Sequence, residues 1–79
     1  MKKIEIYSTP TCMYCNMAKD FFKENKLVFT EYNVATDTAK RQEMVEKSGQ
    51  MGVPVIVVEG GDVIVGFDEP TLKQLLAVK

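Results

Sequence analysis

The stretch IEIYSTPTCMYC, residues 4–15, passes from strand-like alternation to helical spacing within a dozen positions. Lys3–Tyr7 alternates isoleucine with Glu5 and Tyr7, which predicts a strand with two chemically different faces. From about Met13 to Asn25 apolar residues recur at intervals of three and four, which predicts a helix. Its predicted apolar stripe consists of Tyr14, Met17, Ala18, Phe21 and Phe22. Cys12 and Cys15 therefore lie where a strand is followed by a helix.

The next two elements continue this alternation. Phe29–Asn33 is a short β-prone run, and its distance from the first strand allows a helical crossover, so we expect the two strands to be parallel. Asp37 or Thr36 can cap a second helix that runs to about Ser48, where Gly49 supplies the stop. Apolar residues are sparse in that helix, so we expect it to be the most exposed helix and to carry no chemistry. Its apolar positions are Ala39, Met44 and Val45.

The last third of the chain predicts a hairpin and a helix. Val55–Val58 and Val63–Val65 are β-branched runs joined by Glu59-Gly60-Gly61-Asp62, which favours an antiparallel pair. Asp68 can cap a final helix, whose buried side would be formed by Leu72, Leu75 and Leu76. The predicted order is β-α-β-α-β-β-α, an α/β fold with a mixed sheet.

Length and composition limit the class of protein. The 79 residues predict one domain, 1–79, and the 46% apolar and 27% charged residues are typical of a globular chain. A net charge of -1 gives no field that would attract nucleic acid or an anionic membrane. Met1, Lys2 and Lys3 lead straight into the first strand without a long apolar run, so we predict a cytosolic protein with no membrane partner, and a monomer.

The absence of histidine and the presence of two cysteines narrow the chemistry. Without histidine the chain cannot form a Ser-His-Asp or Cys-His hydrolase, or a histidine-containing metal site. Cys12 and Cys15 would close too short a loop to add much stability, so the pair points to redox chemistry. Two alternatives stay open: the cysteines are small core residues, or two copies of Cys12 in a dimer hold an iron-sulfur cluster with outside thiols.

The predicted placement of the pair favours reversible disulfide chemistry. Cys12 falls where the first helix begins, and Cys15 follows one turn later on the same side. A thiolate at Cys12 would face the free N–H groups and the positive end of the helix, both of which favour the ionised form. A stable thiolate is also a good leaving group, so a mixed disulfide on Cys12 would pass on easily.

The motif Cys12-Met13-Tyr14-Cys15 after Ile4-Glu5-Ile6-Tyr7, with Gly52-Val53-Pro54 and Gly66-Phe67-Asp68 downstream, resembles the glutaredoxin family over nearly the whole chain. The resemblance implies the thioredoxin fold, with a four-stranded mixed sheet of order 2-1-3-4 flanked by three helices. It implies a redox-active thiol-disulfide oxidoreductase that reduces protein disulfides and glutathione mixed disulfides. Glutathione would be the reductant or co-substrate, with no bound cofactor and no metal.

The resemblance also assigns roles to residues. Cys12 would be the nucleophile and Cys15 the resolving cysteine. Pro54 would be cis, leaving the Val53 backbone free to pair with an incoming peptide or glutathione; a plain strand entry is the alternative. Two further sets would contact substrate: Tyr14, otherwise an ordinary core residue, and Phe67 with Asp68, the latter equally a helix cap.

Three positions depart from the family pattern. Many glutaredoxins have a basic residue where this chain has Thr9, a proline in place of Met13, and a threonine in place of Gly52. Without the cation and the hydroxyl, the glycine carboxylate of glutathione loses contacts. Gly66-Phe67 also resembles redoxins that take electrons from thioredoxin reductase and supply ribonucleotide reductase. Those two enzymes are therefore the alternative partners.

Overall fold

A computed structural model describes residues 3–76 as four strands and three helices. The elements are β1 (Ile4–Ser8), α1 (Met13–Glu24), β2 (Phe29–Asn33), α2 (Thr38–Ser48), β3 (Val55–Val58), β4 (Asp62–Val65) and α3 (Glu69–Leu76). The sheet order is β2-β1-β3-β4, with β1 and β2 parallel and the other two pairs antiparallel. The predicted element order, strand order and strand directions are confirmed. No helix within residues 3–76 is long and apolar enough to span a bilayer.

Strand β1 lies inside the sheet and is covered on both faces. Ile4 and Ile6 face one side, and Tyr7, predicted to face a chemically different side, is also fully buried. Glu5 is only half-buried. The two faces are chemically different, as predicted, because Ile4 and Ile6 pack in an apolar cluster whereas Tyr7 and Glu5 form side-chain hydrogen bonds. Tyr7 is nevertheless buried, because an inner strand with helices on both faces buries residues on each side.

Two apolar clusters fill the space on either side of the sheet. Helices α1 and α3 cover the first cluster, formed by Ile4, Ile6, Ala18, Phe21, Phe22, Ile56, Val58, Ile64 and Leu72. Helix α2 covers the second, formed by Tyr7, Val34, Met44 and Val55. The predicted contribution of α3 is confirmed, since Leu72 is buried and Leu75 and Leu76 pack against the first cluster.

The buried side of α1 differs from the predicted stripe. Ala18, Phe21 and Phe22 are buried as expected, together with Cys15. Tyr14 and Met17 are exposed by 61% and 43% of their surfaces. Tyr14 lies seven residues before Phe21 and hence on the same line of the helix. Tyr14 is nevertheless exposed, whereas the adjacent Cys15 is buried. The interpretation of Tyr14 as a core residue was therefore wrong.

Helix α2 has the predicted boundaries. Asp37 is its N-cap, accepting from the Lys40 N–H at 3.0 Å, and Gly49 ends it in the left-handed region at a φ of 75°. Of the three apolar positions predicted to face the core, Met44 is buried, Val45 is half-buried and Ala39 is exposed.

A polar network holds α2 against the sheet. The Tyr7 hydroxyl donates to Glu43 Oε1 at 2.7 Å, and Lys40 and Lys47 each lie 3.2 Å from a Glu43 oxygen. Lys40 also sits over the Tyr32 ring, 4.2 Å from its centre. Hydrogen bonds from Tyr7, Lys47 and Lys40 lower the pKa of Glu43 to about 2. Burial, with the bond to Glu43, raises the pKa of Tyr7 to about 12.

This network predicts an acid-dependent loss of stability that Glu43→Gln removes. The folded pKa of Glu43 lies below its ordinary value of 4.5, so its contribution is complete above about pH 4.5 and is lost as pH falls towards 2. We expect Glu43→Gln to be less stable than the parent by about 1 kcal/mol at neutral pH, a value kept small by solvent exposure. The difference should close near pH 2 in urea unfolding curves; a difference independent of pH would contradict the assignment.

Candidate active site

Three loops meet at one edge of the sheet because of the strand directions. Tyr7 near the end of β1 pairs with Val55 at the start of β3, and Val55 pairs with Val65 at the end of β4. The segment leading to Cys12, the segment containing Pro54 and the segment of Gly66-Phe67-Asp68 therefore start or finish at the same edge. Loops at such an edge are common sites of chemistry in α/β folds.

Cys12 is the N-cap residue of α1. Its backbone is extended, with φ -80° and ψ 113°, and its Sγ accepts the Cys15 backbone N–H at 3.1 Å. Its side chain is half-buried, so solvent reaches the residue. A backbone N–H directed at sulfur favours the negatively charged form, as does the positive end of the helix dipole. The sequence-based placement of Cys12 at the helix start is confirmed.

Cys15 has the opposite environment. It is fully buried in the first turn of α1, whereas Met13 and Tyr14 in the same turn are exposed. Burial, with a hydrogen bond to Cys12, raises the pKa of the Cys15 thiol to about 12. The core interpretation therefore describes the location of Cys15 but not that of Cys12. Both thiols are free in this structure.

The Val53–Pro54 peptide bond is cis, as the family resemblance implied. Pro54 is buried, and its carbonyl accepts the Gly66 N–H at 2.8 Å, which ties this loop to the one after β4. Within residues 3–76 no backbone hydrogen bond is formed by Val53. Val53 lies in a bend just before β3, and an unpaired N–H and carbonyl are what an added peptide strand requires for its hydrogen bonds.

The remaining residues predicted to contact substrate are Tyr14, Phe67 and Asp68, and none of them is fully buried. Tyr14 presents its ring to solvent. Phe67 is half-buried, with its ring edge-to-face on Phe21 at 5.9 Å between centres. Asp68 is exposed and acts as the cap of α3, because its carboxylate accepts the Thr71 hydroxyl at 2.7 Å and the Thr71 N–H at 3.4 Å. The capping role of Asp68 is confirmed, and its role towards a ligand stays a prediction.

Sequence reasoning missed a polar clasp around Gly52. The Gln50 side chain accepts the Gly52 N–H at 2.6 Å and donates to the Gly52 carbonyl at 3.0 Å, so one amide satisfies both backbone groups. Ser48 completes the clasp by bonding Gln50 at 3.3 Å and the Met44 carbonyl at 2.7 Å. A Cβ on residue 52 would lie 2.7 Å from Gln50 Oε1. Gly52 thus fits because the Gln50 amide occupies that space.

A second network, also missed, lies beside Cys15. Lys19 follows Cys15 by one helical turn, and its Nζ is 2.7 Å from Glu31 Oε2 on β2. The same oxygen accepts the hydroxyl of the buried Ser8 at 2.8 Å. These two bonds, led by that from Lys19, lower the pKa of Glu31. The i,i+4 spacing of Lys19 from Cys15 was the available sequence signal.

The described part of the chain has no cluster of side chains suited to bind a metal ion. Among residues 3–76 no group of three or more cysteine, aspartate or glutamate side chains is arranged to hold a metal ion. The same part of the chain encloses no pocket, so a substrate would meet Cys12 on an open surface.

The family model and the similar proteins agree on one family. Residues 4–64 match the glutaredoxin family model. The chain is 44% identical to an uncharacterised glutaredoxin-like 8.6 kDa protein of the rubredoxin operon of Clostridium pasteurianum, over 92% of this chain and 96% of that one. It is 37% identical to glutaredoxin 3 of Escherichia coli K12, over 75% of this chain and 71% of the relative.

The fold also matches a solved structure over its full length. A point variant of the thioredoxin-like protein BC3987 superposes with a TM-score of 0.91 at 35% identity, covering 100% of both chains. The predicted thioredoxin fold, with three helices and the sheet order β2-β1-β3-β4, is thereby confirmed.

The unequal exposure of the two thiols predicts selective alkylation. At neutral pH iodoacetamide should modify Cys12 in the reduced folded protein and leave Cys15 unmodified, because the alkylating reaction needs an accessible thiolate. Peptide mass spectrometry locates the label. A Cys12→Ser variant should stay unlabelled while folded and gain one label in denaturant; rapid labelling of Cys15 in the folded protein would refute the assignment.

The clasp predicts that Gly52 and Gln50 are energetically coupled. Gly52→Ala should displace the Gln50 side chain and lower the free energy of unfolding by about 1 kcal/mol through the lost hydrogen bonds. In a Gln50→Ala background the same substitution should be nearly neutral, so a double-mutant cycle in urea should give a coupling of about 1 kcal/mol. Equal costs in both backgrounds would show that the clasp is not the reason for glycine.

Proposed function

The chain belongs to the glutaredoxin family, and from this we propose that it is a thiol-disulfide oxidoreductase with Cys12 as nucleophile and Cys15 as resolving cysteine. The observation that carries the proposal is the environment of Cys12. Its sulfur caps α1 and accepts a backbone N–H at 3.1 Å, and the residue is only half-buried. A thiolate so placed can attack a disulfide and can also leave readily.

The reaction proceeds in two exchanges. The Cys12 thiolate attacks one sulfur of a substrate disulfide, forming a mixed disulfide and releasing one substrate thiolate, which takes a proton from solvent. The Cys15 sulfur, after losing its proton, then attacks Cys12 Sγ, forming the Cys12–Cys15 disulfide and releasing the second substrate thiolate. The substrate gains two electrons and the protein loses two. An external thiol reductant returns the protein to its dithiol form.

Substrate would be held on the open edge beside Cys12. The free N–H and carbonyl of Val53, positioned by the cis bond to Pro54, would pair with the backbone of a peptide or of glutathione. The exposed Tyr14 ring would cover the bound sulfur from the side of α1. Phe67 and Asp68 would contact the far end of the ligand through backbone N–H groups and a carboxylate.

Glutathione is proposed as the reductant and co-substrate, and protein disulfides and glutathione mixed disulfides as substrates. A specific observation favours a second candidate, a redoxin reduced by thioredoxin reductase that supplies ribonucleotide reductase. Thr9 carries no charge, and the Gly52 backbone is already satisfied by Gln50, so two features suited to the glycine carboxylate of glutathione are absent at these positions. Location of this protein in the cytosol and its monomeric state stay predictions.

Coupled assays separate the two candidates. Purified protein is supplied with a disulfide substrate, NADPH and either glutathione with glutathione reductase or thioredoxin reductase alone. The proposal predicts turnover in the first system, and turnover confined to the second would establish the alternative. In both systems Cys12→Ser should lose activity by at least about a hundredfold, because no other accessible thiol replaces it.

Cys15→Ser is the matched variant for the resolving step. It should retain reduction of glutathione mixed disulfides, which Cys12 alone can perform, and lose reduction of protein disulfides. Retention of full activity by Cys12→Ser would refute the mechanism for either electron donor. A brown dimer absorbing visible light after anaerobic purification would instead indicate the iron-sulfur alternative.

A further inference from the structure

The second exchange has a requirement that the first does not. Cys15 must lose a proton before it can attack Cys12, yet it is fully buried and its pKa is raised to about 12. At neutral pH the thiolate of Cys15 is therefore scarce, and any nearby positive charge that favours the ionised sulfur increases the population that can react.

Lys19 is the residue placed to supply that charge. It follows Cys15 at i,i+4 on α1, so the two side chains lie on the same face of the helix. Its ammonium group is bound 2.7 Å from Glu31 Oε2, which also accepts the Ser8 hydroxyl at 2.8 Å. Lys19 retains only 19% of its side-chain exposure. A lysine on an open helix surface would sample many rotamers, whereas this one is anchored across to β2.

We propose that Lys19 is a positioning residue for the resolving step, holding a positive charge beside Cys15, and that Glu31 and Ser8 keep it there. The inference rests on the proposed function, because it assigns Cys15 the second exchange. It extends that function to residues outside the two cysteines and the substrate edge. It also gives β2 a role in the chemistry, because Glu31 on that strand holds Lys19.

The surroundings of Cys15 agree with this assignment. On α1 the charge of Lys19 lowers the pKa of Cys15, and a negatively charged Cys12 raises it. From the loop after β1, a hydrogen bond from the Thr9 backbone lowers it, and from β2 Glu31 acts through its ion pair with Lys19. Once Cys12 is part of a mixed disulfide it carries no charge, and Lys19 then supplies the charge that acts on Cys15.

A simple estimate gives the size of the effect. Lys19 lowers the pKa of Cys15, and removing an opposite charge of this kind lowers the thiolate population by about tenfold. The remaining thiolate is more nucleophilic by about threefold at a Brønsted slope near 0.45. The resolving rate should thus fall about threefold. The attack by Cys12 should not change, because Cys12 Sγ takes its hydrogen bond from the Cys15 backbone N–H and not from Lys19.

The experiment follows the two exchanges in one trace. The reduced protein is mixed with excess dithiodipyridine, an uncharged disulfide, in a stopped-flow instrument at neutral pH. Attack by Cys12 releases the first equivalent of thiopyridone, and attack by Cys15 on the mixed disulfide releases the second. An uncharged reagent is needed because Lys19 would attract an anionic one and alter the first phase for an unrelated reason.

Four variants are compared with the parent protein. Lys19→Met and Lys19→Gln should leave the first phase unchanged and slow the second about threefold, and Lys19→Arg should restore the second phase because it keeps the charge. Lys23→Met, which removes the same charge one turn further along α1, should leave both phases unchanged. Two neutral variants are used so that one poorly folded protein does not decide the result.

Each other outcome has a defined meaning. An unchanged second phase in the neutral variants, equal slowing of both phases, or equal slowing by Lys23→Met overturns the role of Lys19. A parent protein with no second phase, or a Cys15→Ser variant that keeps one, overturns the proposed function itself. The failure of the inference and the failure of the proposed function are therefore distinguished within one set of traces.

Discussion

The pairing of β1 with strands on both sides is the constraint on which the site depends. β1 runs parallel to β2 and antiparallel to β3, so its final residues lie next to the first residues of β3. This brings the turn into α1 and the cis peptide bond before β3 to one edge without any long loop. The burial of Ile6 on one face and Tyr7 on the other fixes the strand, since a slip of one residue would exchange the two sets of contacts.

The helix start gives the two cysteines different surroundings. Cys12 is outside the first turn, where the Cys15 backbone N–H points at its sulfur. Cys15 is inside that turn and faces the core with Ala18. A spacing of three residues therefore produces one accessible sulfur and one buried sulfur in contact. The ion pair between Lys19 and Glu31 holds the ammonium group of Lys19 one helical turn after Cys15.

Sequence reasoning predicted the fold well where a local pattern and a turn signal agreed. The hairpin around Gly60 and Gly61, the cap at Asp37 and the stop at Gly49 were found in this way. It did not reveal that Tyr7 is fully buried, because periodicity alone does not say whether a strand is inside the sheet or at its edge. It placed Tyr14 in the apolar stripe, because helical spacing alone does not show which side of the first turn is buried; the adjacent Cys15 is buried instead.

The site was predictable as a set of motifs but not as a network. The cis bond at Pro54 came from family resemblance rather than from any physical signal in the sequence. Gln50 was not found because a glutamine two residues from a glycine has no distinctive pattern; only the folded loop shows that its amide satisfies both Gly52 backbone groups. Glu31 was not found because its partners are distant in sequence. The complete burial of Cys15 also limits oxidative damage: peroxide in solvent meets Cys12 first, and a sulfenic acid formed there has a neighbouring thiol with which it can condense before irreversible oxidation.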